Sequence, residues 1–207
     1  MPPKLRVLLA VLVSSLLLDQ GSKAWIVANL AYRGPRLDER ALAGLDTFGH
    51  SLSHPAEVVV VPRLLEFVHA QNPAAAMGMM LGFEYRMLVF GLFTLVAVSV
   101  LVWMYRALPS DDRLQSAVIG LILSGALGNA IDRAHKGTVT DFIKVIVDPE
   151  PMRTWMIQAL GTTEWYTFNW ADAAIFVGVG LYLLGSWFQK DGETEDAGPS
   201  PLDAVDA

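Results

Sequence analysis

MLVFGLFTLVAVSVLVWMY, from Met87 to Tyr105, contains no charged residue and is bracketed by Arg86 and Arg106. A helix of roughly 20 apolar residues, rising about 1.5 Å per residue, crosses the roughly 30 Å of bilayer hydrocarbon, so this stretch reads as a membrane span. Leu114 to Ile131, on its C-terminal side, is equally free of charge and ends at Asp132 and Arg133. Phe168 to Phe188 is broken only by Asp172, near its start. On the N-terminal side, Val7 to Leu18 is uncharged, Asp19 and Lys23 follow, and apolar residues resume from Ala24. A cleaved signal peptide would begin in the same way, but no small-x-small site closes the run at Leu18. The chain is therefore expected to be an all-α integral membrane protein with four transmembrane helices, at about 7–31, 87–105, 114–131 and 168–188.

Composition agrees with lipid as the solvent. Of 207 residues, 53% are hydrophobic and only 17% are charged, against about a quarter charged in a soluble domain. The formal net charge of −6 and the lack of any basic run argue against a nucleic-acid partner. No cysteine is present, which removes disulfide scaffolds, zinc ribbons and thiol nucleophiles together. Much of the acidity is local. Gln189 to Ala207 holds Asp191, Glu193, Glu195, Asp196, Asp203 and Asp206 against Lys190, and residues 189–207 read as an acidic disordered tail following a membrane domain of 1–188.

Four spans put both termini on one side of the membrane, with the long segments 32–85 and 132–167 on the other. Lysine and arginine leave the orientation open, because the terminus side has fewer bases in shorter segments. Val58 to Val61 and Leu64 to Gln71 read as two short strands of a small sheet at the membrane surface. Arg33 to Pro55 reads as an irregular loop.

Ionisable groups at the edge of a span are costly and mark function. Asp19, Lys23, Asp132, Arg133, Asp141 and Asp172 all fall toward one face in this topology. Each also has a structural reading. Asp19 and Lys23, spaced i, i+4, can neutralise each other on one helical face. Asn169 and Asp172 have the spacing of a capping box with Asp in the place of Glu. Gly128-Asn129 can end a helix and leave Asp132 and Arg133 as interfacial charges, and Asp141 can be a solvated residue on a half-buried strand.

Other chemistries fit poorly. His50, His54, His69 and His135 show no metal-ligand spacing, so neither metal nor cofactor is expected. Ser22 and Lys23, as adjacent helical residues, point about 100° apart and make a poor dyad. Neither a phosphate-cradling glycine loop nor a GxSxG elbow occurs. A pair of aspartates suffices to hydrolyse an amide. One carboxylate deprotonates water while its protonated neighbour polarises the carbonyl, and the roles then reverse as the amine leaves.

Five blocks in order resemble the lipoprotein signal peptidase (signal peptidase II) family: Leu18-Asp19-Gln20-Gly21-Ser22-Lys23, Gln71 to Gly78, Gly125 to Arg133, Gly137 to Phe142, and Phe168-Asn169-Trp170-Ala171-Asp172. The resemblance covers most of the chain. It implies a four-helix membrane bundle with a small extracytoplasmic β-cradle, both termini cytoplasmic, in the bacterial inner membrane. By the same resemblance Asp141 and Asp172 are the catalytic dyad of an aspartic endopeptidase. Asn72, Asn129, Arg133 and Asn169 line the substrate pocket, while Asp19, Lys23 and Asp132 support the site. Implied partners are membrane lipid, globomycin-type inhibitors and diacylglyceryl-modified prolipoproteins, cleaved on the amino side of the lipidated cysteine; a monomer is expected. Ala74 and Met77 depart from the family's usual Gly and Phe, and the stretches 33–55 and 148–163 are longer than usual. A catalytically weak lipopeptide-binding paralogue, or a transporter with intramembrane carboxylates, are the rival readings.

Overall fold

The uncharged runs fold as long helices. The computed structural model describes residues 1–32, 57–73 and 85–195, with side chains described except those of 160 and 186–195. The expectations for the loop 33–55, for Ala74 and Met77, and for the last part of the tail lie outside the described residues. In chain order the elements are α1 (Pro3–Asn29), β1 (Glu57–Val61), β2 (Leu65–Asn72), α2 (Arg86–Ala107), α3 (Arg113–Lys136), β3 (Val139–Val145), α4 (Met152–Leu160) and α5 (Trp170–Glu195).

Among the described residues, α1, α2 and α3 are long and apolar enough to cross a membrane. The apolar part of α5, Trp170–Gly185, is shorter. Beyond it the helix runs on to Glu195, into the stretch expected to be disordered tail. Gln189, Lys190, Glu193 and Glu195 all favour helix, so a change in polarity alone does not end it. The third helix also exceeds its expected bounds, continuing past Ile131 to Lys136 and closing with Gly137 in the left-handed region, φ 73°. Gly128-Asn129 is thus no helix end.

Helix α3 is the centre of the bundle, packing against α1, α2 and α5. Its buried Val118, Ile119, Ile122 and Leu123 meet Leu8 of α1 and Leu101 of α2. By contrast Leu92, Phe93 and Trp103 of α2 are exposed, as suits a helix able to cross a membrane, and so are Phe176 and Leu183 of α5. Two glycines let the backbones approach. A Cβ on Gly125 would land on the Ala171 carbonyl of α5, and one on Gly128 on the Asp19 carboxylate of α1.

The strands form one antiparallel sheet in the order β1-β2-β3. Ile26 and Leu30, at the end of α1, pack on Phe142 of β3 and fix the sheet over the helix ends. In the β2–β3 register Ala70 faces Asp141 and Asn72 faces Val139. The segment before α5 also pairs with β3: Ile143 N–H donates to the Phe168 carbonyl at 2.7 Å, and Phe168 N–H returns the bond at 3.1 Å. This pairing brings the residues after Phe168 alongside those before Ile143. Helix α4, within the stretch noted as enlarged, has no strong sequence signature and was not foreseen.

Filling the contact at Gly125 is expected to cost stability. Gly125→Val should destabilise by about 1–3 kcal/mol through overpacking, read as a lower thermal unfolding midpoint in detergent. Gly91→Val on α2, where nothing lies within 4 Å of the added carbon, should leave the midpoint unchanged or raise it.

Candidate active site

Lys23 is buried, with 1% of its surface exposed, and its ammonium is held by two hydrogen bonds and a further ion pair. Its Nζ lies 2.9 Å from Asp19 Oδ2 on the same helix, and 3.1 Å from Asp132 Oδ2 on α3. It also donates to Asn129 Oδ1 at 3.1 Å. The i, i+4 pair read from the sequence is present, but it is one side of a three-way junction. Lys136 reaches the other oxygen of Asp132 at 3.4 Å, so two cations balance two buried carboxylates. A buried charge is tolerable only when paired and hydrogen-bonded in this way.

Both carboxylates also grip the backbone. Asp19 Oδ1 accepts the N–H of Ala171 at 3.0 Å, and Asp132 Oδ2 accepts the N–H of Thr140 at 3.2 Å. Ala171 immediately precedes Asp172, and Thr140 immediately precedes Asp141. One lysine therefore registers the segments carrying both candidate aspartates.

The two aspartates are joined by amides. Asn129 Oδ1 faces Lys23, which can only donate, so the Asn129 amide hydrogens face the other way. Its Nδ2 donates to Asp172 Oδ1 at 2.8 Å. Asn169 Nδ2 donates to Asp141 Oδ1 at 2.7 Å and to Asn129 Oδ1 at 3.2 Å. Asn72 Nδ2 donates to Asp141 Oδ2 at 3.0 Å. The capping box read from spacing is present as well. Asp172 N–H donates to Asn169 Oδ1 at 3.0 Å, and Asn169 N–H donates to Asp172 Oδ2 at 3.2 Å. Capping and site geometry are thus one arrangement: the cap aims the second carboxylate oxygen at Asn129.

Burial in β3 pushes the Asp141 carboxyl up to about 6, and the neighbouring Asp172 charge adds to this; hydrogen bonds from Asn72 and Asn169 and the Lys23 charge oppose it. Arg133 is half-buried, lies 4.6 Å over the Phe90 ring, and interacts electrostatically with Asp172, Asp141 and Asp132. All nine residues singled out from sequence thus belong to one constellation, with Arg133 at its edge facing α2.

Several participants had no assigned role. Gln71 accepts from Thr138 at 2.9 Å and donates to the Thr140 hydroxyl at 3.2 Å. Buried His69 lies 2.8 Å from the Gln71 amide, and Gln20 donates to Asp19 at 2.9 Å. Gln20 and Gln71 sit within the motif blocks already quoted, and that position was the available signal. The amides of Ala171 and Thr140 carry no signal in sequence.

Residues 11–188 match the model of a family described as signal peptidase (SPase) II. The chain belongs to the signal peptidase II family. It is 33% identical to the lipoprotein signal peptidase of Geobacter sulfurreducens, over 89% of this chain and 93% of that protein. It is also 38% identical to that of Syntrophotalea carbinolica, over 64% and 73% respectively. Among solved structures it resembles a bacterial membrane enzyme determined in meso at 2.3 Å resolution. That likeness has a TM-score of 0.61 and 22% identity and covers 93% of both chains, which speaks for a shared fold. As a signal peptidase II the chain is a protease of a bacterial membrane.

Removing the cation at the junction should be severe. Lys23→Met leaves Asp19 and Asp132 facing each other's charge without a shared partner, an expected loss of about 3–5 kcal/mol, read by thermal unfolding in lipid nanodiscs. The triple variant Asp19→Asn, Lys23→Met, Asp132→Asn should recover part of it. A single Lys23→Met variant as stable as the parent would show that the junction does not hold the fold.

Proposed function

We propose that the protein is an aspartic endopeptidase that removes the signal peptide from diacylglyceryl-modified prolipoproteins, with Asp141 and Asp172 as its catalytic pair. The observation that carries the mechanism is the amide bridge between these two carboxylates, together with the weakened acidity of Asp141. The lipoprotein signal peptidases to which the chain is similar supply the substrate class. In this reading the 1–188 domain crosses the inner membrane four times, α5 included. Both termini are cytoplasmic and the site opens toward the periplasmic face.

The reactive form is the one in which the pair carries one proton, placed on Asp141, whose carboxyl burial pushes up to about 6, with Asp172 as the base. Water bound between them loses a proton to Asp172 as its oxygen attacks the carbonyl preceding the lipidated cysteine. Asp141 donates its proton to the carbonyl oxygen. Collapse of the tetrahedral species breaks the C–N bond, the proton on Asp172 passes to the leaving amine, and the hydroxyl proton returns to Asp141. Asn72 and Asn169 hold Asp141, Asn129 and the cap hold Asp172, and Arg133 offsets the negative charge of the pair. With one proton shared, the pair carries a single negative charge that the Arg133 cation balances, as the Lys23 and Lys136 cations balance Asp19 and Asp132. Globomycin-type lipopeptides would occupy the same pocket as the substrate.

Asp141→Asn and Asp172→Asn are each expected to lower kcat by at least about a hundredfold on a lipidated prolipoprotein in nanodiscs, the scale of general acid/base catalysis. Cleavage by either variant at the parent's rate would sink the assignment.

The pH profile gives a second check. Asp141 must be protonated to act as acid, so activity should fall as pH rises through its pKa. The Asn72 hydrogen bond favours the ionised form. Asn72→Ala should therefore raise that pKa and move the alkaline limb of kcat/KM to higher pH; an acid shift would contradict the proposed role.

A further inference from the structure

Helix α4 is an excursion between β3 and α5, closed at its base by backbone pairing. Val147 N–H donates to the Thr163 carbonyl at 2.9 Å, and Trp165 N–H to the Val145 carbonyl at 2.9 Å. Only Met156 of its described side chains is buried, at 1% exposure. Met152 and Trp155 are exposed, as are Trp165 and Tyr166 just after the helix. Val61 and Leu64 of the adjoining β1–β2 turn are exposed too, and Arg63 between them pairs with Asp148 at the foot of α4. This end of the sheet therefore presents apolar and aromatic side chains with nothing from the described chain covering them.

We infer that α4, with Trp165 and Tyr166, lies in the outer-leaflet interface of the bilayer and docks the sheet onto phospholipid at the headgroup boundary. Three observations favour lipid over a protein partner. The strip leads in sequence into an apolar helix, since only a short segment separates Tyr166 from α5, whose Phe176 is 82% exposed. Its aromatic residues are Trp and Tyr, the types that settle where an apolar ring meets a hydrated headgroup. Its charges are matched locally: Arg153 lies 3.7 Å from Glu150 and 3.9 Å from Asp148, and Lys144 lies 2.8 Å from Glu164. Among the described residues that leaves no single-signed patch here to select a charged protein, and apolar insertion is the remaining attraction. The inference rests on α5 entering the membrane, not on the peptidase reading.

Because the chain has no cysteine, single cysteines can carry a nitroxide without background. The full-length protein in phospholipid nanodiscs would be labelled at Met152→Cys, Trp155→Cys, Thr154→Cys and, as a lipid-facing reference, Phe176→Cys. Met152 and Thr154 project about 160° apart on a helix of 3.6 residues per turn. Power saturation with oxygen, which partitions into lipid, and with a water-soluble nickel chelate then reads the depth of each label. Labels at 152 and 155 should shift toward the oxygen-rich, nickel-poor behaviour of 176, while 154 stays nickel-accessible. If 152 and 155 behave like 154 while 176 remains in lipid, the helix stands in water and the inference fails. Shielding of 152 and 155 from both reagents would mean that protein covers this face, which also overturns it. Nickel access at 176 would instead remove the placement of α5 in the membrane, and this inference with it.

Discussion

The ammonium of Lys23 sits among three acceptors from two helices, and the positions of both candidate aspartates follow from it. Burying one charge at the edge of hydrocarbon is tolerable only when it is hydrogen-bonded and the opposing charges nearly cancel. Asp19 and Asp132 meet that demand with one oxygen each. Each carboxylate also accepts a backbone amide, Ala171 on Asp19 and Thr140 on Asp132, and so bears on the registers of α5 and β3. The third acceptor, Asn129, is turned by the ammonium so that its amide hydrogens meet Asp172. A local electrostatic requirement is thereby converted into the spacing of two carboxylates drawn from a strand and a helix.

The rest of the fold serves that spacing. Gly125 and Gly128 let α3 lie against α5 and α1 closely enough for the junction to close. The Ile143–Phe168 pairing carries the α5 cap alongside β3. Ile26, Leu30 and Phe142 clamp the sheet to the end of α1. None of these contacts is chemical in itself, yet each removes a freedom that would let Asp141 and Asp172 drift apart, and pre-positioned groups are what acid/base catalysis requires.

Legibility from sequence varied with the physics of each element. Helix α2 was plain because an unbroken apolar run of that length has one solution in lipid. Helix α3 was cut short at Ile131 because reading by hydropathy stops at the first charge, whereas Asp132 is neutralised by a lysine on another helix. The same blindness to tertiary partners reduced Asp19–Lys23 to a local pair. The Asn169–Asp172 cap was visible because capping is local in sequence. Helix α4 was missed because it is short and mostly exposed, with Met156 alone buried among its described side chains. The candidate site residues were legible through motif blocks; the amides of Ala171 and Thr140 were not, since every residue but proline has one.

This framework holds Asp141 near enough to Asp172, and buried enough, to keep a proton to higher pH than an ordinary aspartate does. Infrared difference spectroscopy of the protein in nanodiscs, titrated from neutral to acid pH, reads the carbonyl stretch of a protonated carboxyl directly. A band is expected that titrates near pH 6, vanishes in Asp141→Asn and moves to lower pH in Asp172→Asn. A band that survives Asp141→Asn, or no carboxyl protonated above the ordinary aspartate range, would contradict this placement of the proton.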